Sequence, residues 1–303
     1  MEFVINAMAL IWTQSYQSKH NMVVDNVASQ AIKKWKQDGL IPLMSATPSW
    51  VYGQFRSFYT RNIKWETVSN PHETTYVNPN DVEYLLLESE ETDWSRRESV
   101  SDEVSFLYNP KKAGFRRKKN IGRVVRGDWD LQREPFKENS VYQAIVAHFE
   151  EGESWENTEF VQNCLKRIEL GYESYGCSSA EEFQEKRLSY IEELYKSISE
   201  TGYLTQEEAE TDERNKDLFH EVSINIGRDG ELIFNNRSGH HRLSIAKVLN
   251  IESIPVVVIV RHKKWQDIRN EVRKANSYDE LSKKAKDNIH HPDLCELVNK
   301  DWF

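Results

Sequence analysis

The stretch that decides the fold reads "IGRDGELIFNNRSGHHRLSIAKVLNIESIPVVVI", residues 226–259. Asp229-Gly230 is a strong turn pair between apolar runs, which predicts a β-hairpin whose first strand is the alternating segment 222–226. Apolar residues in 240–251 recur at helical spacing. The run "IPVVVIV" at 254–260 is β-branched and has no polar residue, which predicts a strand buried on both faces. The sequence therefore predicts a hairpin, a turn, a helix and a buried strand, in that order.

Composition sets the outer limits of the interpretation. The chain has 303 residues, of which 38% are hydrophobic and 11% aromatic, so it is globular and long enough for two domains. A net charge of −9 argues against a protein that coats nucleic acid generally, although it allows a local basic patch. The cysteines, Cys164, Cys177 and Cys295, have no metal-type spacing, which indicates free thiols in a reducing compartment.

The first twelve residues, "MEFVINAMALIW", are apolar but lack the basic region and cleavage site of a signal peptide. They are also too few to span a bilayer. We therefore expect a buried element, a cytoplasmic protein and no membrane partner.

A helical block follows residue 138. Its first helix is predicted by an apolar face at i, i+3, i+4 and i+7, formed by Tyr142, Ile145, Val146 and Phe149. Ser179 and Glu182 form a capping box for a second helix. That helix has an apolar stripe of Leu188, Ile191, Leu194, Tyr195 and Ile198. The segment "TQEE" at 205–208 would cap a third helix. After the buried strand, "HKKWQDIRNEVRKA" at 262–275 predicts a closing helix with Trp265, Ile268 and Val272 inward.

The turn "SGHHR", residues 238–242, is the main candidate site. It opens a helix, where the first N–H groups lack intrahelical partners and the dipole is positive. Gly239 allows a sharp bend and a close approach of a ligand, and Arg242 offers a fork to phosphate oxygens. His240 and His241 are ring N–H donors, and Ser238 fits either a cap or an anion contact. Together these residues predict a phosphate site, and the alternative is a capped helix with solvated side chains.

A metal site made by His240 and His241 is disfavoured. Adjacent residues of a helix diverge by about 100°, so the two rings would not converge on one ion. The usual zinc-ligand spacings are also absent.

Three carboxylates are candidates for phosphoryl-transfer chemistry. Asp128 and Asp130 flank Trp129 and share one face if the segment is extended, which suits a Mg²⁺ site. The alternative is a solvated or capping pair. Glu221, at the start of the hairpin, is the second candidate.

A basic run with no acidic residue extends from Lys111 to Arg126. Its centre, at Arg116, Arg117, Lys118 and Lys119, fits the tail of a nucleotide or a nucleic-acid backbone. The alternative is a solvated, mobile segment.

The same residues resemble the signature region of the ParB/sulfiredoxin superfamily across about residues 220–262: a hairpin, a G-x-x-R-like turn, a helix and an "IPV" strand. Upstream, "YVNPNDVEYLL" (76–86) resembles the superfamily's opening strand and proline-led helix, and "GRVVRGDWD" (122–130) resembles a further core segment. The resemblance implies an α/β (α+β) fold with a small mixed sheet. Its parts would be an N-terminal extension (1–75), a first core part (76–137), a helical insertion (138–215) and a second core part (216–303).

The members of the superfamily differ at this turn. Sulfiredoxins have a catalytic cysteine directly after the glycine, where this chain has His240, so sulfinic acid reduction is not supported. ParB partition proteins bind CTP and carry a helix-turn-helix region afterwards, for which residues 262–303 are too few. A free-serine kinase branch has "DGHHR". Ser238 replaces that aspartate, so the resemblance supports phosphate binding and leaves the kinase chemistry unsupported.

The resemblance thus implies a protein that binds ATP, CTP or another nucleotide, with Mg²⁺. It would hydrolyse the nucleotide or transfer a phosphoryl group to a small-molecule acceptor. Two alternatives stay open: a ParB-like nuclease or DNA-binding module whose partner is nucleic acid, and a non-catalytic, nucleotide-binding interaction protein.

Overall fold

The computed structural model describes residues 74–87, 114–205, 208, 221–299 and 302, which all belong to one unit of the chain, 58–303. Several sequence-based predictions lie outside these residues. They are the buried N-terminal element, nearly all of the N-terminal extension and the first part of the basic run. For Lys118 and Lys119 only the backbone is described.

Seven strands in the described part of the chain form one mixed sheet. They are β1 (Thr75–Val77), β2 (Tyr84–Leu86), β3 (Arg123–Val125), β4 (Arg133–Pro135), β5 (Val222–Ile226), β6 (Leu232–Phe234) and β7 (Ile254–His262). The order across the sheet is β1-β7-β5-β6-β2-β4, and β3 also pairs with β7. β5 runs antiparallel to β6 and parallel to β7, while β2 is parallel to β6. The prediction of an α+β fold with a mixed sheet is confirmed.

β7 is the most enclosed strand of this sheet. On one side it pairs with β5, and on the other it pairs first with β1 and then with β3. Each of its residues from Ile254 to His262 is buried. The β-branched run therefore forms the predicted strand with both faces covered, because bulky side chains fill both sides of the sheet.

The described helices lie between and after the strands. They are α1 (Arg117–Asn120), α2 (Ser140–Phe149), α3 (Glu159–Glu169), α4 (Ala180–Glu182), α5 (Ser189–Thr201), α6 (His240–Val248), α7 (Lys263–Lys274) and α8 (Lys283–Asp287). A π-helical segment, Phe183–Leu188, joins α4 to α5. Short 3₁₀ turns occupy Pro79–Asp81, Trp129–Leu131, Phe136–Glu138, Trp155–Asn157 and Tyr278–Glu280.

The helical boundaries follow the local signals in the sequence. The Ser179 hydroxyl accepts the Glu182 N–H at 3.1 Å, and the Glu182 carboxylate accepts the Ser178 N–H at 2.8 Å, so the capping box forms with its return bond shifted by one residue. Thr205 and Glu208 also exchange capping-box hydrogen bonds. Of the residues predicted to face inward, seven are buried: Ile145, Leu188, Ile191, Ile198, Trp265, Ile268 and Val272. The other five are half-buried: Tyr142, Val146, Phe149, Leu194 and Tyr195.

α6 is shared by two hydrophobic clusters. Leu243 and Ala246 pack in the cluster formed by one face of the sheet with α7 and α8. Ile245 packs in the cluster of the helical block, among side chains of α2, α3 and α5. Since Leu243, Ile245 and Ala246 are all fully buried, α6 lies between the sheet and the helical block. The helical block therefore packs directly on the helix that follows the candidate turn.

One local prediction is wrong. Within 76–86, where the resemblance implied a strand and then a proline-led helix, the proline leads only a single 3₁₀ turn, Pro79–Asp81, followed by strand β2. Pro79 is well placed at the first position of a helical turn, and Asn78 caps it by accepting the Asn80 N–H at 2.9 Å. The helix stops there because the apolar run Tyr84–Leu86 pairs with β6 and β4 instead.

Cys164, Cys177 and Cys295 are free thiols, as predicted. Burial raises the pKa of the Cys164 thiol to about 11. Within the described residues, no helix combines the length and the apolar character that crossing a membrane requires.

Candidate phosphate-binding turn

The turn at 238–242 lies at the open end of the β5–β6 hairpin. The Asn235 N–H donates to the Ser223 carbonyl at 2.8 Å, so the chain leaves β6 beside the start of β5. Gly239 then adopts φ +92° and directly precedes α6. A Cβ on Gly239 would stand 3.0 Å from the Val222 Cα, closer than real side chains normally approach. The position therefore needs glycine for its backbone conformation and for the close packing on β5.

Ser238 does not occupy the cap position that the sequence allowed. The residue before α6 is Gly239, which has no side chain to offer to the first N–H groups of the helix. Those N–H groups and the positive end of the helix dipole are the features that bind anions at helix N-termini. Ser238 is half-buried beside them.

His240 is the first residue of α6, and its side chain is held by two neighbours. Its Nε2 lies 2.8 Å from the Asn236 Oδ1. The centres of the His240 and Phe234 rings are 4.7 Å apart, in an edge-on arrangement. Asn236 is itself fixed, because its Nδ2 donates to the Leu86 carbonyl at 3.0 Å. Since Asn236 Oδ1 accepts, Nε2 carries the proton and the tautomer of His240 is set. The structure thus places an oriented imidazole at this end of the helix.

His241 points in another direction, toward the helical block. Its Nδ1 lies 3.1 Å from the Arg187 Nη2, and its ring is nearly fully buried. Burial first, and then the charges of Arg187 and His240, hold the pKa of His241 well below its ordinary value of 6.5. His241 is therefore neutral and accepts a hydrogen bond from Arg187.

Arg187 is a site residue that sequence reasoning missed. Its guanidinium stacks 4.1 Å from the centre of the Tyr175 ring while it donates to His241. It belongs to the π-helical segment, an irregularity that often marks a functional position in helices. A capping box and an apolar stripe do not reveal a π turn, so the sequence contained no signal that Arg187 would face the turn.

Arg242 is engaged by neighbours rather than directed at the mouth of the helix. Its Nη1 lies 3.3 Å from the Glu221 Oε2, its Nη2 donates to the Leu204 carbonyl, and its guanidinium lies 4.4 Å from the centre of the Tyr203 ring. Arg242 and Glu221 are both buried. The structure thus brings Glu221 to the turn, as a partner of Arg242.

Asp128 and Asp130 lie elsewhere. Both contact Arg228 in the hairpin turn, at the end of the hairpin opposite to residues 238–242: Arg228 Nη2 is 2.7 Å from a carboxylate oxygen of each aspartate. Burial alone would raise the pKa of Asp130, but hydrogen bonds and charge from Arg228 outweigh burial and lower it. The pair that the sequence suggested as a Mg²⁺ site thus forms an ion-pair cluster away from the candidate turn.

The start of the described basic segment docks onto the turn. The Arg237 Nε donates to the Gly114 carbonyl, and the Asn235 side chain exchanges hydrogen bonds with the backbone of Phe115 at 3.0 and 3.1 Å. Arg116 and Arg117 follow directly along the chain. The described start of the basic run therefore contacts the residues that directly precede the turn.

The described residues contain no group of three or more His, Cys, Asp or Glu side chains arranged to hold a metal ion. Comparisons with protein-family models, with curated proteins and with solved structures find no match to this chain.

Proposed function

We propose that residues 238–242 bind the phosphates of a nucleoside di- or triphosphate, and that the protein hydrolyses this nucleotide or transfers its terminal phosphoryl group. The observation that carries the proposal is the left-handed Gly239, which opens a buried helix with an oriented imidazole from His240 at its mouth. Helix N-termini that follow a strand and a glycine turn are suited to phosphate because N–H groups and dipole act together.

Each side chain then has a role that its contacts support. The first backbone N–H groups of α6 and the His240 ring hold the phosphate. Arg187 donates a hydrogen bond to the turn residue His241, and we assign it to providing positive charge near the phosphate from the side of the helical block. Arg242 and Glu221 pair with each other, so we assign them to holding the turn in place. Phosphoryl transfer rests on such positioning and charge stabilisation more than on covalent chemistry.

Mg²⁺ commonly accompanies a bound nucleotide. Because Asp128 and Asp130 are paired with Arg228, the proposal assigns no protein ligand to this ion. Gly114 and Phe115 contact Arg237 and Asn235 next to the turn, and we assign this side of the turn to the nucleoside end or a second phosphate group.

Isothermal titration with ATP, CTP and ADP, each with Mg²⁺, tests binding, and release of inorganic phosphate tests turnover. We expect Arg187→Gln to weaken nucleotide binding about tenfold, because a positive charge beside the turn residue His241 is lost. Arg273→Gln, an exposed arginine in the last turn of α7, is the matched control and should bind as the parent protein does.

The outcomes separate the candidate functions. Lack of binding by every nucleotide, or equal binding by the Arg187→Gln protein, overturns the proposal. Binding without phosphate release favours the non-catalytic interaction protein. A DNA oligonucleotide that binds where nucleotides do not, with an affinity that falls steeply as salt rises, favours the nuclease or DNA-binding module.

A further inference from the structure

A second candidate site lies at the other end of α6, away from the phosphate turn. A cavity of about 340 Å³ opens there between the 3₁₀ turn Pro79–Asp81, the 3₁₀ turn Phe136–Glu138, α2 and the last turn of α6. It is lined by Asn80, Glu83, Tyr84, Pro135, Phe136, Lys137, Tyr142 and Lys247. The cavity is of small-molecule size, and its lining includes aromatic rings, an amine and a carboxylate.

The lining combines an apolar wall with a poorly hydrated amine. Phe136 is almost fully buried and meets Tyr142 edge-on at 5.6 Å between ring centres. The Lys247 Nζ lies 5.0 Å from the centre of the Phe136 ring. The ammonium or amine of Lys247 therefore borders the cavity on the side of its aromatic wall and is partly removed from water.

Protonation follows from this environment. Burial lowers the pKa of Lys247 to about 8, against the opposing charges of Glu83 and Asp81. Tyr142 keeps its proton, because burial and then the charge of Glu150 raise its pKa. Near neutral pH the cavity thus contains an appreciable fraction of free amine together with a phenol that can donate a hydrogen bond. Lys137, which also lines the cavity, provides a cation for an acidic substituent.

We propose that this cavity binds a small aromatic aldehyde and that Lys247 forms a reversible imine with it. The nitrogen lone pair attacks the carbonyl carbon, and a proton moves from nitrogen to oxygen to give the carbinolamine. That adduct loses one water molecule as the C=N bond forms, so no oxidant or reductant is consumed. The rings of Tyr84, Phe136 and Tyr142 select a planar apolar group, and the Tyr142 hydroxyl assists the departure of water as a proton donor.

The test uses the full-length protein with 4-carboxybenzaldehyde and sodium cyanoborohydride, which reduces an imine to a stable secondary amine. Peptide mapping by mass spectrometry then locates the label. We expect Lys247 to be labelled at least tenfold faster than the exposed residues Lys264 and Lys283, with a rate that saturates as the aldehyde concentration rises. Without the reductant, the imine measured by ultraviolet difference absorbance should form more completely as the pH rises toward 8, since the free amine is the nucleophile.

Variants separate a real site from general lysine reactivity. Lys247→Arg should abolish the fast label, Tyr142→Phe should slow it, and Lys264→Arg should leave it unchanged. Circular dichroism verifies that each variant is folded. Labelling spread evenly over the exposed lysines, or a Lys247 rate that rises linearly without saturation, overturns the proposal.

Discussion

At the scale of single residues, Gly239 is the position of the candidate turn that requires glycine. Its φ of +92° disfavours any side chain, and a Cβ would also meet the Val222 Cα at 3.0 Å. Gly171 offers a matched control, because its φ of +83° is similar and a Cβ there would have nothing within 4 Å.

We expect Gly239→Ala to lower the free energy of unfolding by about 2–3 kcal/mol and Gly171→Ala by only about 1 kcal/mol. Urea denaturation of the two variants measures the difference. Equal losses would show that β5 yields easily and that backbone conformation alone requires glycine at 239.

Residues of the same turn show what a sequence can reveal about a site. The glycine, the hairpin before it and the helix after it were predictable, because each follows from local conformational preference. The direction of the Arg242 side chain was not predictable, because it depends on Glu221 and the Leu204 carbonyl. The tertiary fold brings both of these groups to the turn. The same holds for Asp128 and Asp130, whose partner Arg228 lies about a hundred residues further along the chain.

At the scale of secondary-structure elements, a buried ion cluster fastens α7 and the end of β7 to the segment after α8. Arg261 donates three hydrogen bonds to the Asp293 carboxylate, of 2.6, 2.9 and 3.2 Å. Arg269 lies 2.8 Å from the same carboxylate, and the Trp265 Nε1 donates to it at 2.9 Å. Complete burial works to raise the pKa of Asp293, but these two arginines and Trp265 lower it to about 2.

We expect Asp293→Asn to lower the free energy of unfolding at pH 7 by about 3–5 kcal/mol, because two buried guanidinium groups lose a charged partner, although Arg269 keeps Glu296. The folded pKa lies below the ordinary 3.8, so this stabilisation is complete above about pH 4 and declines as the pH falls toward 2. Denaturation between pH 7 and pH 3 should therefore show a smaller gap between parent and variant at the acidic end.

Asp267→Asn, on α7, is the control for that measurement. Its partner Lys263 is four residues away, Asp267 is exposed and Lys263 is partly exposed, so the loss should stay below about 1 kcal/mol. A similar loss in both variants would mean that the Asp293 cluster contributes no more than a surface ion pair.

At the scale of the whole molecule, the sequence predicted the helical block but not its attachment. Apolar periodicity identifies a helix face that must be buried and leaves open what covers it. Here part of the cover is α6, which belongs to the predicted core and whose 241–246 segment is buried on every side. A helix that is buried on all sides has no polar face, so its sequence does not show which elements pack on it. The contact between the helical block and α6 could therefore not be predicted from the sequence.

This shared helix leads us to expect that damage in the helical block reaches the sheet. Ile191 on α5 is fully buried in the same cluster as Ile245 of α6. Truncation to alanine should cost about 2–5 kcal/mol, as for other buried large-to-small changes. Hydrogen exchange with mass-spectrometric detection should show faster exchange in β6 and α6 as well as in α2 and α5, because opening of the block exposes α6 and leaves the sheet face beneath it uncovered.

Glu193→Ala, an exposed change on the same helix as Ile191, should leave exchange unaltered. If the Ile191→Ala protein exchanges faster only in the block, while β6 keeps its parent protection, then the block opens independently and α6 stays anchored by the sheet alone.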